Sequence, residues 1–259
     1  MADADRPGGP VGRVAVLAPH PDDEVLGCTS VLTEHDVVVV HVTDGVPVGV
    51  CGHEATALAA AREQEARTAC AVVGARVERF VTLDAQDQEL WCSTSDVALA
   101  LVELLPTLHL DAVYAPALQS GHPDHDGLYV AAQLARSALA ASEIEWWCYA
   151  LYALDDRGRP GYGWLHPGLY PDVVDRAFTA EETARKSAAL RAFTTQVHAG
   201  SVVQSWLDAP APERFAPMPQ RDAPLPLLRS YYDEIFRFAE QGIDRGTVDR
   251  VLRAALAGA

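Results

Sequence analysis

The strongest constraint on this chain is an alternation of short β-branched apolar runs with longer helical segments over roughly its first 150 residues. Arg13–Ala18 (RVAVLA) and Asp36–Val42 (DVVVVHV) are short and almost continuously apolar, as strands buried on both faces are. Val77–Leu83, Asp111–Ala115 and Ile144–Leu151 repeat the pattern. Between them the spacing predicts helices over Glu24–Glu34, Glu54–Val73, Ser95–Leu105 and Asp124–Ala140. Gly74 is placed to stop the second helix, and Pro106 to end the third. Such a succession specifies an α/β domain with a Rossmann-like parallel sheet flanked by helices on both faces.

Beyond residue 150 the pattern lapses. Asp155–Pro171 is rich in Gly, Pro and aromatics and reads as loop, followed by a short strand at Val173–Asp175. Thr179–Phe193 reads as a helix, with Thr179 and Glu182 spaced as a capping box. Pro210–Pro226 is Pro-rich and reads as irregular, and terminal helices are expected over Leu227–Glu240 and Gly246–Leu256. With no internal repeat, this gives one domain over 13–259 with an irregular, helical C-terminal extension. A disordered lead over 1–12 precedes it.

Charge and cysteine usage narrow the function. A net charge of -16 argues against nucleic acid or an anionic membrane as partner. The longest apolar run, Val37–Val42, is far short of the roughly 20 residues that span a bilayer. The N-terminus has no apolar core of a signal peptide. The five cysteines show no CxxC spacing, which argues against a disulfide framework or zinc knuckle and fits a reducing cytoplasm. Lys186 is the single lysine in a chain otherwise supplied with Arg.

Two motifs carry chemistry. His20-Pro21-Asp22-Asp23-Glu24 follows the first strand, and His122-Pro123-Asp124-His125 follows the fourth. Each sets imidazole and carboxylate donors at the mouth of a helix, a mixture that suits zinc and leaves a position for water once three ligands are in place. In a sheet of order 3-2-1-4-5, strands one and four are neighbours, and the crevice at their carboxyl ends is the switch point where ligands bind. The donors outnumber what one metal needs, so some are free for proton transfer, Asp22 as a base and His122 as an oxyanion donor and acid. The plainer alternative is that Asp22, Asp23 and Asp124 only cap helices, and that Glu24 only answers a helix dipole. His41, His53, His109, His166 and His198 lack partner spacing, although His198 stands close enough to Gln196 to reach a site. Trp146 and Trp147 read as core, while Tyr162, Trp164 and Tyr170 either wall a carbohydrate site or pack their loop down. No G-x-G-x-x-G follows the first strand, which excludes a dinucleotide-binding fingerprint.

At these residues the chain resembles the PIG-L/LmbE-like family of zinc-dependent N-acetylglucosaminyl deacetylases. The resemblance lies in APHPDDEVLGC (Ala18–Cys28), with Thr29-Ser30 in place of the usual Gly pair, and in Thr43-Asp44-Gly45. It continues in Arg62 with Glu65, Ala69 and Gly74, in Asp87 with Leu90, and in GHPDH (Gly121–His125). Lys186 with Gln196 resembles a late segment in which Phe193 stands where His is common. The resemblance implies zinc on His20, Asp23 and His125, with ferrous iron, cobalt or manganese as alternatives. It implies Asp22 as general base, His122 as oxyanion donor and acid, Asp124 as orienter of an imidazole, and Arg62 as contact for a substrate hydroxyl or anionic group. The alternative for Arg62 is a helical ion pair with Glu65. The implied substrate is a small-molecule N-acyl amino sugar or glycoconjugate. Rival readings are removal of another N-acyl group, as on a lipoglycopeptide with an acyl channel near 161–170, and a non-catalytic binder of the same fold. Oligomeric state, homo-oligomer included, and the roles of 155–171 and 210–226 are left open by the sequence.

Overall fold

The computed structural model describes residues 12–154, 157, 160–198, 201–220 and 245–258. The lead at 1–11 and the helix expected at Leu227–Glu240 lie outside the described residues. Five strands, β1 (Arg13–Ala18), β2 (Asp36–Pro47), β3 (Val77–Asp87), β4 (Ala112–Pro116) and β5 (Glu145–Tyr149), pair in parallel in the order β3-β2-β1-β4-β5. This is the order the switch-point argument requires. A hairpin of β6 (Tyr152–Leu154) and β7 (Pro160–Tyr162) stands apart from the sheet. The main sheet is completed by β9 (Glu213–Pro217), antiparallel to β5, and β8 (Val174–Arg176), antiparallel to β9 at the outer edge.

Seven α-helices are described: α1 (Asp23–Glu34), α2 (Gly52–Val73), α3 (Thr94–Leu104), α4 (Pro123–Ala138), α5 (Ala180–Leu190), α6 (Val202–Asp208) and α7 (Arg245–Gly258). Strand alternation divides the core into two layers. Ala15, Leu17, Val38, Val40 and Val113 face α3, α4 and α7 through Leu101, Leu128 and Val248. Val14, Val16, Val37, Val39 and Tyr114 face α1, α2 and α5 through Val25, Ala66 and Leu190. Each fully buried side chain of this kind stabilises by about 1.5–3 kcal/mol, so the sheet fixes both strand ends that carry the motifs.

The structure corrects three expectations. β2 does not stop at Thr43-Asp44-Gly45 but runs on to Pro47, with register shifts against β3 between His41 and Thr43 and again before Pro47. β3 likewise continues to Asp87. The Pro-rich stretch 210–226 contains a strand, because β9 finds an open edge at β5 and buries Glu213, Phe215 and Ala216.

Candidate active site

The first motif leaves the carboxyl end of β1 and turns into α1. Asp22 precedes that helix with φ 146° and ψ -29°, a strained conformation for a residue with a side chain, and its carboxylate makes no capping hydrogen bond. Arg62 Nη2 instead donates to Asp22 Oδ2 at 3.2 Å, so the carboxylate is held for another purpose than capping. The second motif opens α4. There His122 is the N-cap, its Nδ1 accepting the Asp124 backbone N–H at 3.1 Å. Gly121 is required just before it, since any Cβ would collide with the Tyr152 carbonyl oxygen.

The two motifs meet across β1 and β4. Asp23 Oδ2 lies 3.1 Å from His20 Nδ1 and 3.3 Å from His125 Nε2. The His20, His122 and His125 rings are neighbours, with centroids 4.8, 5.5 and 5.0 Å apart pairwise. Among the described residues, two trios bring their ligand atoms within 4.8 Å of one another, His20 with His122 and His125, and His20 with Asp87 and Asp124. In the carboxylate trio the contacts of Asp124 are taken up by protein. Its oxygens accept from the Gln88 and Leu90 backbone at 2.6 and 3.0 Å, and it faces His20 Nε2 at 3.2 Å. Asp87 Oδ1 also faces His20 Nε2, at 3.0 Å. The far nitrogen of His20 is thus held by two carboxylates, the arrangement that fixes the tautomer of a metal-ligating imidazole. His125 Nε2 is buried without a hydrogen-bond partner. A buried imidazole nitrogen left in this way beside an ionised carboxylate and a second imidazole fits a divalent metal of zinc type.

The electrostatics separate the two neighbouring aspartates. Burial opposes ionisation of Asp23, but His125 and His20 outweigh it and hold its carboxyl well below the usual range. Asp22 is pushed well above that range by burial and by Asp23, with Arg62 and His20 only partly offsetting them. Burial works against Asp87 too, yet His20 brings it down to about 2. Burial and the neighbouring His20 and His125 lower His122 well below the ordinary histidine value. The neutral ring accepts at Nδ1 and so carries its proton on Nε2.

A cavity of about 430 Å³ opens onto His20, Asp22, Asp23, Asp87 and His122. Its far rim comes from the segment after α5, where Gln196, His198 and Ser201 line it, with Pro47, Leu58 and Val202 as its apolar part. His198 is therefore at the cavity wall; His41, by contrast, is buried and faces Glu24 at 3.2 Å. Glu24 is fully buried and accepts the Asp22 N–H at 3.0 Å, so it supports the strained turn as well as the helix dipole. Arg62 does not pair with Glu65. It donates to Gly45 O, Pro21 O and Asp22, while Glu65 accepts from Thr194 and Thr195. The aromatics of 161–170 pack their loop down: Tyr170 accepts the Leu118 N–H, and the Trp164 carbonyl takes Gln119. Asp87 is the site residue the motif reading left without a role. Its sequence signals are its pairing with Leu90 in the family resemblance and an acid near the end of a strand whose neighbours feed the crevice.

Residues 15–136 match the family model described as PIG-L, GlcNAc-PI de-N-acetylase. Among curated proteins no relative matches. Solved structures share the fold. An N,N'-diacetylchitobiose deacetylase from Pyrococcus horikoshii aligns with TM-score 0.57 and 22% identity, over 79% of this chain and 77% of its own. A teicoplanin deacetylase in its zinc-inhibited form aligns with TM-score 0.56 and 15% identity, over 79% and 97%. A conserved protein from Thermus thermophilus aligns with TM-score 0.54 and 22% identity, over 84% and 99%.

Proposed function

We propose that this chain, matched over residues 15–136 to the PIG-L family, is a metal-dependent hydrolase that removes an N-acetyl group from an amino sugar or a sugar-containing small molecule. The observation that carries this reading is the convergence of His20, Asp23 and His125, with Asp22 and His122 opening beside them onto one cavity that His20 and Asp23 also line. His20 through Nδ1, Asp23 through Oδ2 and His125 through Nε2 would hold zinc, and the same donors accept ferrous iron or cobalt. A divalent ion there would act as a Lewis acid on water and on the acyl carbonyl.

The chain's own groups supply the rest. Asp22, at the cavity wall beside the proposed ligands, takes the proton of the attacking water. Arg62 holds that carboxylate in place. His122 donates Nε2–H to the acyl oxygen as negative charge develops there, and the proton gathered by Asp22 then serves the leaving nitrogen. Asp124 and Asp87 fix the His20 ring from its far side. Because Arg62 is committed to Asp22 and two carbonyls, it is suited to a sugar hydroxyl rather than to a phosphate or carboxylate.

Burial of the segment expected to form a channel favours a short acyl group. Leu165, Leu169 and Tyr170 are buried in the core, so the segment in which an acyl channel was sought packs into the protein. Acceptors of the kind handled by the chitobiose and teicoplanin deacetylases are the first to try. Five free thiols suit a reducing cytoplasm.

The test is acetate release across N-acetyl amino sugars, their glycosides and glycopeptides, with metal analysis of the same sample. Asp22→Ala should keep its metal and lose about 10²–10⁴ in kcat. His125→Ala should lose both metal and turnover. Full metal content with unchanged activity in His125→Ala would remove the ligand assignment, and no acetate from any acceptor would remove the deacetylase reading.

A further inference from the structure

The chain's single lysine is wholly buried. Lys186, on α5, donates from Nζ to the Leu26 carbonyl at 2.8 Å and to Glu213 Oε1 at 2.7 Å, between the Phe178 and Trp206 rings. Glu213, on β9, is just as buried. Its Oε1 accepts the Thr29 N–H at 2.6 Å, and its Oε2 accepts the Ser30 N–H and hydroxyl at 2.9 and 2.6 Å.

These partners lie at a break in α1. Cys28 has φ -134° and ψ 25°, outside the helical range. In an unbroken helix the Ser30 N–H would bond the Leu26 carbonyl and the Thr29 N–H the Val25 carbonyl. Around Cys28 side chains reach all four of these groups. Glu213 takes both N–H groups, Lys186 takes the Leu26 carbonyl, and the Thr29 hydroxyl takes the Val25 carbonyl at 2.7 Å.

We propose that Lys186 and Glu213 are positioning residues for the metal centre, an ion pair that holds α1 broken at Cys28 and thereby sets how its first turn presents Asp22 and Asp23. The inference rests on the reading of Asp23 as a metal ligand. The mechanical path is short. The Leu26 N–H bonds the Asp22 carbonyl at 2.9 Å, while the Leu26 carbonyl is held by Lys186. Gly27 lies against the Tyr149 ring so closely that a Cβ would collide with it, so the first turn is wedged on one side and tied on the other. Thr29 and Ser30, which replace the Gly pair usual in the family's motif, supply both hydroxyls of the network. A compact ammonium fits between two rings and two acceptors, where a planar guanidinium would not. A buried pair is weak evidence of stabilisation, since apolar residues of similar volume often serve the fold as well.

Lys186→Met/Glu213→Leu removes both charges and lets Thr29 and Ser30 return to the helical carbonyls. Glu213→Gln keeps one acceptor. Zinc affinity is measured by competition with a chromophoric chelator, together with Tm, kcat and KM. The double variant should fold, bind zinc about ten- to a hundredfold more weakly, as when the outer supports of a ligand are lost, and lose more in kcat than in KM. Glu213→Gln should fall between it and the wild type. A folded double variant with wild-type zinc affinity overturns the proposal, whatever its Tm. Should the double variant not fold, Glu213→Gln below its Tm decides, and unchanged affinity again overturns it. The competition needs no substrate, so failure of the deacetylase reading shows separately, as absence of acetate release by wild-type protein.

Discussion

At the scale of the residue, Asp22 joins a strained backbone to a carboxylate that makes no cap. Left-handed strain costs about 1–3 kcal/mol, and it is held here by several bonds. Glu24 accepts the Asp22 N–H, Val25 and Leu26 donate to its carbonyl, and Arg62 holds the side chain. Asp22→Gly and Asp22→Ala both delete the carboxylate, so their difference isolates the backbone. Urea unfolding should find the Gly variant more stable than the Ala variant by about 1 kcal/mol, although Ala is elsewhere the better residue. Equal stability, or a more stable Ala variant, would remove the strain account. Both should lose kcat alike, by about 10²–10⁴. The proposed ligands and base stood out in the sequence because each motif compresses several donors into four or five positions. Asp87 was not, because a lone acid at a strand end looks like any turn residue until the fold sets it 3.0 Å from His20. Glu24 was read through local helix electrostatics, which say nothing about the buried His41 that the second strand brings beside it.

At the scale of the element, the site depends on close approach between backbones. The GHPDH turn passes the Tyr152 carbonyl with no room for a Cβ at Gly121, and both partners are main chain. Gly121→Ala should therefore cost about 1–3 kcal/mol, the usual range for overpacking, and should lower kcat because the displaced turn carries His122. Chemical denaturation and steady-state kinetics on one preparation check both, and wild-type values in both would show that the turn can give way. The inner strands β1, β2 and β4 were legible because their apolar runs are buried on both faces, whereas the edge strand β3 is half-exposed and is legible from its alternation. Of the second-half strands β8 was anticipated at Val173–Asp175 and the others were not. β6 and β7 have three residues each and exist only as a hairpin, and β9 lies among prolines and becomes a strand on the edge that β5 offers. The continuation of β2 past Thr43-Asp44-Gly45 has the same origin, since pairing with β3 through shifted register overrides turn chemistry.

At the scale of the molecule, the crevice gathers Asp22, Asp23, Asp87 and Asp124 in a chain that already carries a net charge of -16. Like charges at such short range oppose folding unless cations answer them. Arg62 and the imidazoles answer part of the charge. A divalent ion on His20, Asp23 and His125 would answer more of it, and because the site unites the ends of β1 and β4 it would bind the folded chain in preference to the unfolded one. Binding of that kind stabilises by about 4 kcal/mol when free metal is a thousandfold above its Kd. Chelation should accordingly lower Tm along with activity, and added zinc should raise Tm by a steady increment per tenfold of free ion. His125→Ala, lacking a ligand, should show little or no such dependence, whereas Asp22→Ala should keep it. A Tm indifferent to zinc in wild-type protein would mean that the cluster is folded without the ion, and the metal assignment would then have to be abandoned along with the mechanism built on it.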